Sequence, residues 1–257
     1  MPVEVKLMQT LFVAWQDPDS RGWFPVGRLW VENGVYRFVY VKGVESAVSH
    51  GFRLLAAFPQ THVIYSSAEL FPLFRNRVMS KSRPDFSSYI SRLNLPEGDL
   101  DPLEILSREA RRATDQLEMF PMPELRDGSY RVHFPLRGMS YFPESAQQRA
   151  LLLQVGDVLD AVIDTQNTND AQAVLVRTKD YHILGFVPRF LAAELRIVLL
   201  RKPEALEIKV EKVNAPPVPI QHRLLCLLTV ESDSMRPYSS LDFTPLVQYP
   251  ASQAIAS

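Results

Sequence analysis

Residues 164–195 read DTQNTNDAQAVLVRTKDYHILGFVPRFLAAEL. The stretch opens as an acidic, amide-rich loop, where Asn and Asp side chains can close their own turns by hydrogen bonding to nearby backbone. QAVLVRT follows as a short apolar strand. YHILGFVPR reads as a second strand, ending in Gly185-Phe186-Val187-Pro188-Arg189. FLAAELRIVLLRK then carries Leu191, Leu195 and Val198 or Leu199 near helical spacing, which predicts a helix started by Arg189 after Pro188. A loop, two strands and a helix in under 40 residues define the second half of the chain as a β module.

The flanking segments extend that pattern. Upstream, RVHFPLRG and DVLDAVIDT read as strands, and SAQQRALLLQ is either a short helix or the lead into a strand. Downstream, ALEIKVEKV alternates apolar and polar residues as a half-buried strand does. APPVPI is a rigid proline break, and HRLLCLLTVES is a further strand. The last ~20 residues are expected to be frayed.

The first half mixes both element types. Residues 3–15, VEVKLMQTLFVAW, suit a strand, and QDPDSRGWFP is a turn. VGRLWVENGVYRFVYVKGV reads as two strands joined at Glu32-Asn33-Gly34, since Asn-Gly between apolar runs signals a hairpin. Residues 67–79 and 84–93 are expected to be helical. Asp101 is placed as a helix N-cap, with Pro102 in the first turn and Glu104 three residues after the cap. FPMPELRDGSY (120–130) holds two prolines and an Asp-Gly and is read as a boundary. The expected class is α+β, with an N-terminal α+β domain of hairpin and helices over 1–122. A small mostly-β domain over 123–213 and a C-terminal strand with an extended tail over 214–257 complete it. No internal repeat is present.

Composition excludes several function classes. The chain has 257 residues, 46% hydrophobic and 22% charged, with a net charge of −1. That balance gives no global field to concentrate polyanions, so nucleic-acid binding must rest on a local patch. The single cysteine, Cys226, cannot form an internal disulfide and is read as a small core residue. MPVEVKLMQT lacks a basic region followed by an apolar run, and no stretch has the roughly 18 apolar residues of a membrane span. A soluble cytoplasmic protein without membrane contact is expected. The five histidines (His50, His62, His133, His182 and His222) show no metal-ligand spacing. No Gly-rich phosphate loop or G-x-S-x-G occurs, and GRLWVENG belongs to a hairpin. Asp157/Asp160 and Asp99/Asp101 sit in turn and cap contexts. The expectation is therefore a protein without catalytic activity, cofactor or metal.

Two features carry recognition chemistry. FPLFRNRVMSKSRPDF (71–86) places Arg75, Arg77, Lys81 and Arg83 among Phe71, Phe74 and Phe86, with no acid between Glu69 and Asp85. Cations interleaved with aromatics can bind phosphates and stack bases. An amphipathic helix with rings inward and cations in water accounts for the same residues. The second feature combines RGMSYFPES (137–145), the 164–170 loop and GFVPR. Tyr141 and Phe142 are adjacent, so a shared use needs a loop conformation rather than a strand.

Residues ~130–213 resemble the HIRAN domain. The resemblance rests on a strand ending in Gly138, Tyr141-Phe142, Gly156-Asp157-Val158-Leu159, the Asp164 to Asp170 loop, Ala173-Val174-Leu175-Val176, and Gly185-Phe186-Val187-Pro188-Arg189 before a helix. It implies a compact β-barrel with one or two short helices that binds single-stranded DNA, especially a free 3′ end. By that likeness, Tyr141 and Phe142 stack on terminal bases, Asp170 receives the 3′-hydroxyl and Arg189 holds phosphate, with Arg137 and Phe186 beside them. Ser140, Asn169 and Phe186 stand where eukaryotic members carry arginine, tyrosine and histidine. General nucleic-acid binding is therefore carried over more fully than 3′-end selectivity.

Residues ~25–120 look like the N-terminal subdomain of HipA-type toxin kinases, through VGRLWVENGVYRFVYVKG, YSSAELFPLFRNRVMSKSRPDF and LNLPEGDLDPLEIL. SREARRATDQLEMF replaces that family's Gly-rich segment and no kinase core follows, so phosphotransfer is not implied. The likeness implies a docking role towards a protein partner. The leading expectation is a bacterial protein that binds single-stranded DNA or DNA 3′ ends. The alternative is a protein-interaction or regulatory module of a toxin–antitoxin or phage-defence system. The near-neutral module motivates it, with 11 Lys/Arg against 10 Asp/Glu over 130–213.

Overall fold

The computed structural model describes residues 9–98, 100–109 and 115–248. Asp99, the start of the predicted 3–15 strand and the end of the tail lie outside the described residues. The chain divides into two compact units, Met1–Arg77 with Arg111–Met119 and Ser239–Ser257, and Val78–Ala110 with Phe120–Tyr238. These differ from the contiguous ranges 1–122, 123–213 and 214–257. The fold is α+β, with two largely antiparallel sheets and few helices.

The first unit is built on strands β1 (Thr10–Gln16), β2 (Trp23–Glu32), β3 (Val35–Tyr40), β4 (Tyr65–Ser67) and β5 (Leu117–Pro121), in the order β4-β3-β2-β1-β5. The predicted hairpin is β2–β3. Asn33 and Gly34 turn it with φ of 52° and 74°, the left-handed pair that such a tight turn requires. Helix α1 (Gly43–Ser49) follows β3. Phe38 is fully buried and stacks 4.1 Å from Phe58.

The expected helix over 67–79 is replaced. Residues 65–67 pair with β3 as an edge strand, and only α2 (Pro72–Arg75) is helical. Phe71 and Phe74 turn towards Phe58, 5.0 and 6.0 Å away, and this aromatic packing sets the backbone in place of a continuous helical stripe. The tail also differs from expectation as far as it is described. Pro245 bridges Val41, the Leu246 amide donates to the Tyr40 carbonyl, and the Phe243 ring lies 5.0 Å from Phe12.

The second unit contains helices α3 (Phe86–Arg92) and α4 (Pro102–Arg108), and the β module. Asp101 caps α4 as predicted, its Oδ1 accepting from the Leu103 amide at 2.8 Å. The predicted boundary over 120–130 begins at the change of unit between Met119 and Phe120, and the segment itself is regular structure. It holds the end of β5, then β6 (Glu124–Arg126), a turn at Asp127-Gly128 with positive φ at both residues, and β7 (Ser129–Pro135). The proline and Asp-Gly signals themselves mark strand ends and a hairpin turn. After β7 come α5 (Glu144–Leu151), β8 (Val158–Ile163), β9 (Val174–Arg177), β10 (Ile183–Phe186), α6 (Arg189–Arg201), β11 (Leu206–Val213) and β12 (Leu224–Glu231).

The sheet order is β10-β9-β8-β11-β12-β7-β6. β12 pairs with both β11 and β7, so it is an inner strand of the module and not part of a separate C-terminal segment. Just past β7, Arg137 and Phe186 exchange both backbone hydrogen bonds, at 2.9 and 2.8 Å. This bridge joins the β7 end of the sheet to β10 and closes six strands into a barrel, with β6 outside. Phe134, Leu159, Val174, Val176, Ile208 and Cys226 are among its buried residues. Leu191, Leu195 and Val198 form the buried stripe of α6. Among the described residues no helix is long and apolar enough to cross a membrane.

Candidate nucleic-acid interface

The closing bridge also builds the candidate site. Gly138 follows Arg137 with φ of 66°, a left-handed conformation that costs glycine nothing. A Cβ there would stand 3.0 Å from the Phe186 ring and 3.1 Å from the Tyr141 ring, so both rings flank this glycine. Residues Met139–Tyr141 form a 3-10 turn in which Met139 is buried. Tyr141 emerges from that turn 83% exposed. Phe142 returns to extended backbone, and its half-buried ring lies 5.4 Å from Phe186 at 43°. The adjacent aromatics thus sit in a loop, as their shared use requires. Gln147 of α5 donates to the Phe142 carbonyl at 3.1 Å and fixes the exit.

The carboxylate and guanidinium also come together. Arg189 Nε donates to Asp170 Oδ2 at 2.5 Å, and Arg189 Nη2 donates to the Asn169 carbonyl at 2.9 Å. Arg189 is the first residue of α6, as predicted. The loop is held by its own side chains. Asp164 accepts from the Gln166 amide and from Asn167 Nδ2. Asn167 Oδ1 accepts from the Asn169 and Asp170 amides, and Asp170 Oδ1 accepts from the Gln172 amide at 3.0 Å. Asp170 is therefore engaged through both oxygens. Phe186 and Arg189 are three residues apart across the β10–α6 junction.

Arg137 contributes its backbone to the bridge, and its cation lies close enough to His222 to oppose protonation of that imidazole. The 71–86 cations are arranged differently. Arg75 pairs with Glu69 at 3.0 Å, Arg77 with Asp115 at 2.8 Å and Arg83 with Asp85 at 2.9 Å. Arg75 and Arg77 belong to the first unit and Lys81 and Arg83 to the second, so the run is no single helical face.

Residues 129–226 match the family model of the HIRAN domain.

The match begins with β7 and ends within β12, so the HIRAN segment reaches beyond the predicted end at residue 213. Two solved structures are similar. A protein from Lactobacillus plantarum shares 18% identity over 40% of this chain and 97% of that chain, with a TM-score of 0.31. The HIRAN domain of human HLTF shares 16% identity over 42% of this chain and 79% of that chain, with a TM-score of 0.30. No curated protein matches the chain.

One exposed aromatic of the HIRAN segment carried no signal in the sequence reading. Tyr181, at the β9–β10 turn, is 71% exposed and lies under the guanidinium of Arg177, 4.7 Å from the ring centroid. A lone tyrosine in a hairpin loop has no motif around it, and only the fold exposes its ring.

Proposed function

We propose that the HIRAN segment binds nucleic acid, with single-stranded DNA or DNA 3′ ends as the ligand class. The exposed Tyr141 ring beside Gly138 and Phe186 carries the reading. An aromatic surface open to solvent at a barrel rim offers stacking to any base, because every base has a π-face. Phe142 and Phe186 back the rim, and a phosphate at Arg189 would share that guanidinium with Asp170. With Asp170 engaged by Arg189 and by the Gln172 amide, its carboxylate acts mainly to orient the guanidinium. The reading assigns binding without turnover.

Anisotropy of labelled single-stranded DNA tests it. Removing one stacking platform costs about 1–3 kcal/mol, so Tyr141→Ala should weaken binding roughly 5- to 150-fold. Arg189→Ala should weaken it and reduce the salt slope by about one phosphate. Wild-type affinity in both variants removes these residues from the role.

A second reading has its own observation. Several cations of the module are paired, Arg189 with Asp170, Arg149 with Asp180, and Arg177 and Lys179 with Asp160. Such neutralisation suits a protein-docking module of a toxin–antitoxin or phage-defence system, with the N-terminal unit as a further docking surface. A stoichiometric partner co-purifying without nucleic acid would favour it.

A further inference from the structure

We propose that Tyr181 is a second stacking platform, placed to take the same nucleic-acid strand several nucleotides away from the Tyr141 rim; the proposal rests on the reading above. The first observation is conformational. Tyr181 has φ of 68°, in the left-handed region where a bulky side chain is rare and glycine is at ease. The turn is tightly specified, with the Tyr181 amide donating to the Thr178 carbonyl and the Thr178 amide to the His182 carbonyl, each at 3.0 Å. A tyrosine therefore occupies a position whose backbone favours glycine. Packing does not account for it, because the residue is 71% exposed.

The second observation is what the ring meets. The Arg177 guanidinium covers one face at 4.7 Å, and the exposure leaves the rest of the ring open. A guanidinium over one face holds the ring in place and adds positive charge beside whatever stacks on the other. Lys179, Arg149 and His182 surround the tip, paired with Asp160 and Asp180.

The third observation is the path between the two platforms. Phe142 precedes α5 and packs on Phe186, while Arg149 in the last turn of α5 binds Asp180 beside Tyr181. Helix α5 and strand β10 thus run together from the rim to the hairpin tip. Tyr181 and Phe186 are five positions apart, at most about 17 Å of strand. That is within reach of the roughly 4–16 nucleotides that a small nucleic-acid-binding barrel covers.

The test measures anisotropy with labelled oligothymidylates of about 4, 8 and 16 nucleotides, bracketing that footprint. Tyr181→Gly removes the ring and suits the backbone, so a change in binding does not arise from misfolding. The expected result is unchanged affinity for the shortest oligonucleotide and a loss of about 5- to 150-fold for the longest. Tyr181→Phe should keep wild-type affinity at every length. Wild-type affinity of Tyr181→Gly at every length, or equal loss at every length, overturns the proposal. If Tyr141→Ala weakens binding while Tyr181→Gly does not, only the extension fails. If the wild type binds none of the oligonucleotides, both readings fail. Release of a protein partner by Tyr181→Gly at unchanged DNA affinity overturns the proposal and reassigns the tip to protein docking.

Discussion

His222 lies at the end of a 3-10 turn (Ile220–His222) and is 7% exposed. Burial disfavours its charged form, and the Arg92 and Arg137 cations add to the effect, so its pKa is pushed down to about 4. Glu109 Oε1, 3.7 Å from Nε2, does not offset them. A histidine neutral in the fold and ordinary when unfolded binds more protons in the unfolded state between those two values. Stability should therefore fall as pH drops from about 6.5 towards 4, by roughly 3 kcal/mol, and the loss should level off below 4. Urea unfolding of wild type and His222→Gln across this window checks the sign; a parallel pH profile in the two proteins would contradict it. The residue scale is also where sequence was least informative. Residues 141 and 142 were legible as a pair because they are adjacent. The Asp170–Arg189 ion pair joins residues that only the β9–β10 fold brings together, and without the family resemblance their chemistry was indistinguishable from turn closure and helix start.

Strand β10 contains Gly185, fully enclosed by its neighbours. A Cβ on it would stand 2.5 Å from the Arg137 carbonyl oxygen and 2.9 Å from Leu136 Cγ. Backbone on one side and a buried leucine on the other leave little room to yield. Gly185→Ala should destabilise the protein by about 1–3 kcal/mol, the usual cost of overpacking. Chemical denaturation measures it, and an unchanged midpoint would show that the strand can shift. Among the elements, strands with clean alternation were legible, as β11 shows with Ile208 and Val210 buried between polar neighbours. The Asn33-Gly34 hairpin and the Asp101 cap were legible too, because local chemistry alone determines them. The 67–79 segment was not, since its backbone follows rings that meet Phe58 from another part of the sequence. The 120–130 boundary begins where the chain passes from one unit to the other, between Met119 and Phe120, but its proline and Asp-Gly report a turn without saying what the turn connects.

At the scale of the whole module, the barrel closes through the Arg137–Phe186 backbone bridge. The Arg137 and Phe186 amides each donate to the other's carbonyl, and the Phe186 ring is also part of the rim. Hydrogen exchange should show these two amides opening with the barrel as a unit, well after surface loops. Addition of a bound oligonucleotide should slow them further, because a ligand that binds only the closed form stabilises it. Unaltered exchange at both amides on binding would place the ligand elsewhere. Closure was invisible in the sequence, because an isolated bridge has no period to read.

The same pair gives the site an unusual economy. The last stitch of the barrel and one wall of its mouth are a single residue, Phe186. A strand of DNA lying across Tyr141 and Phe186 would straddle that stitch and act as a clasp, so occupancy and the integrity of the barrel would rise and fall together.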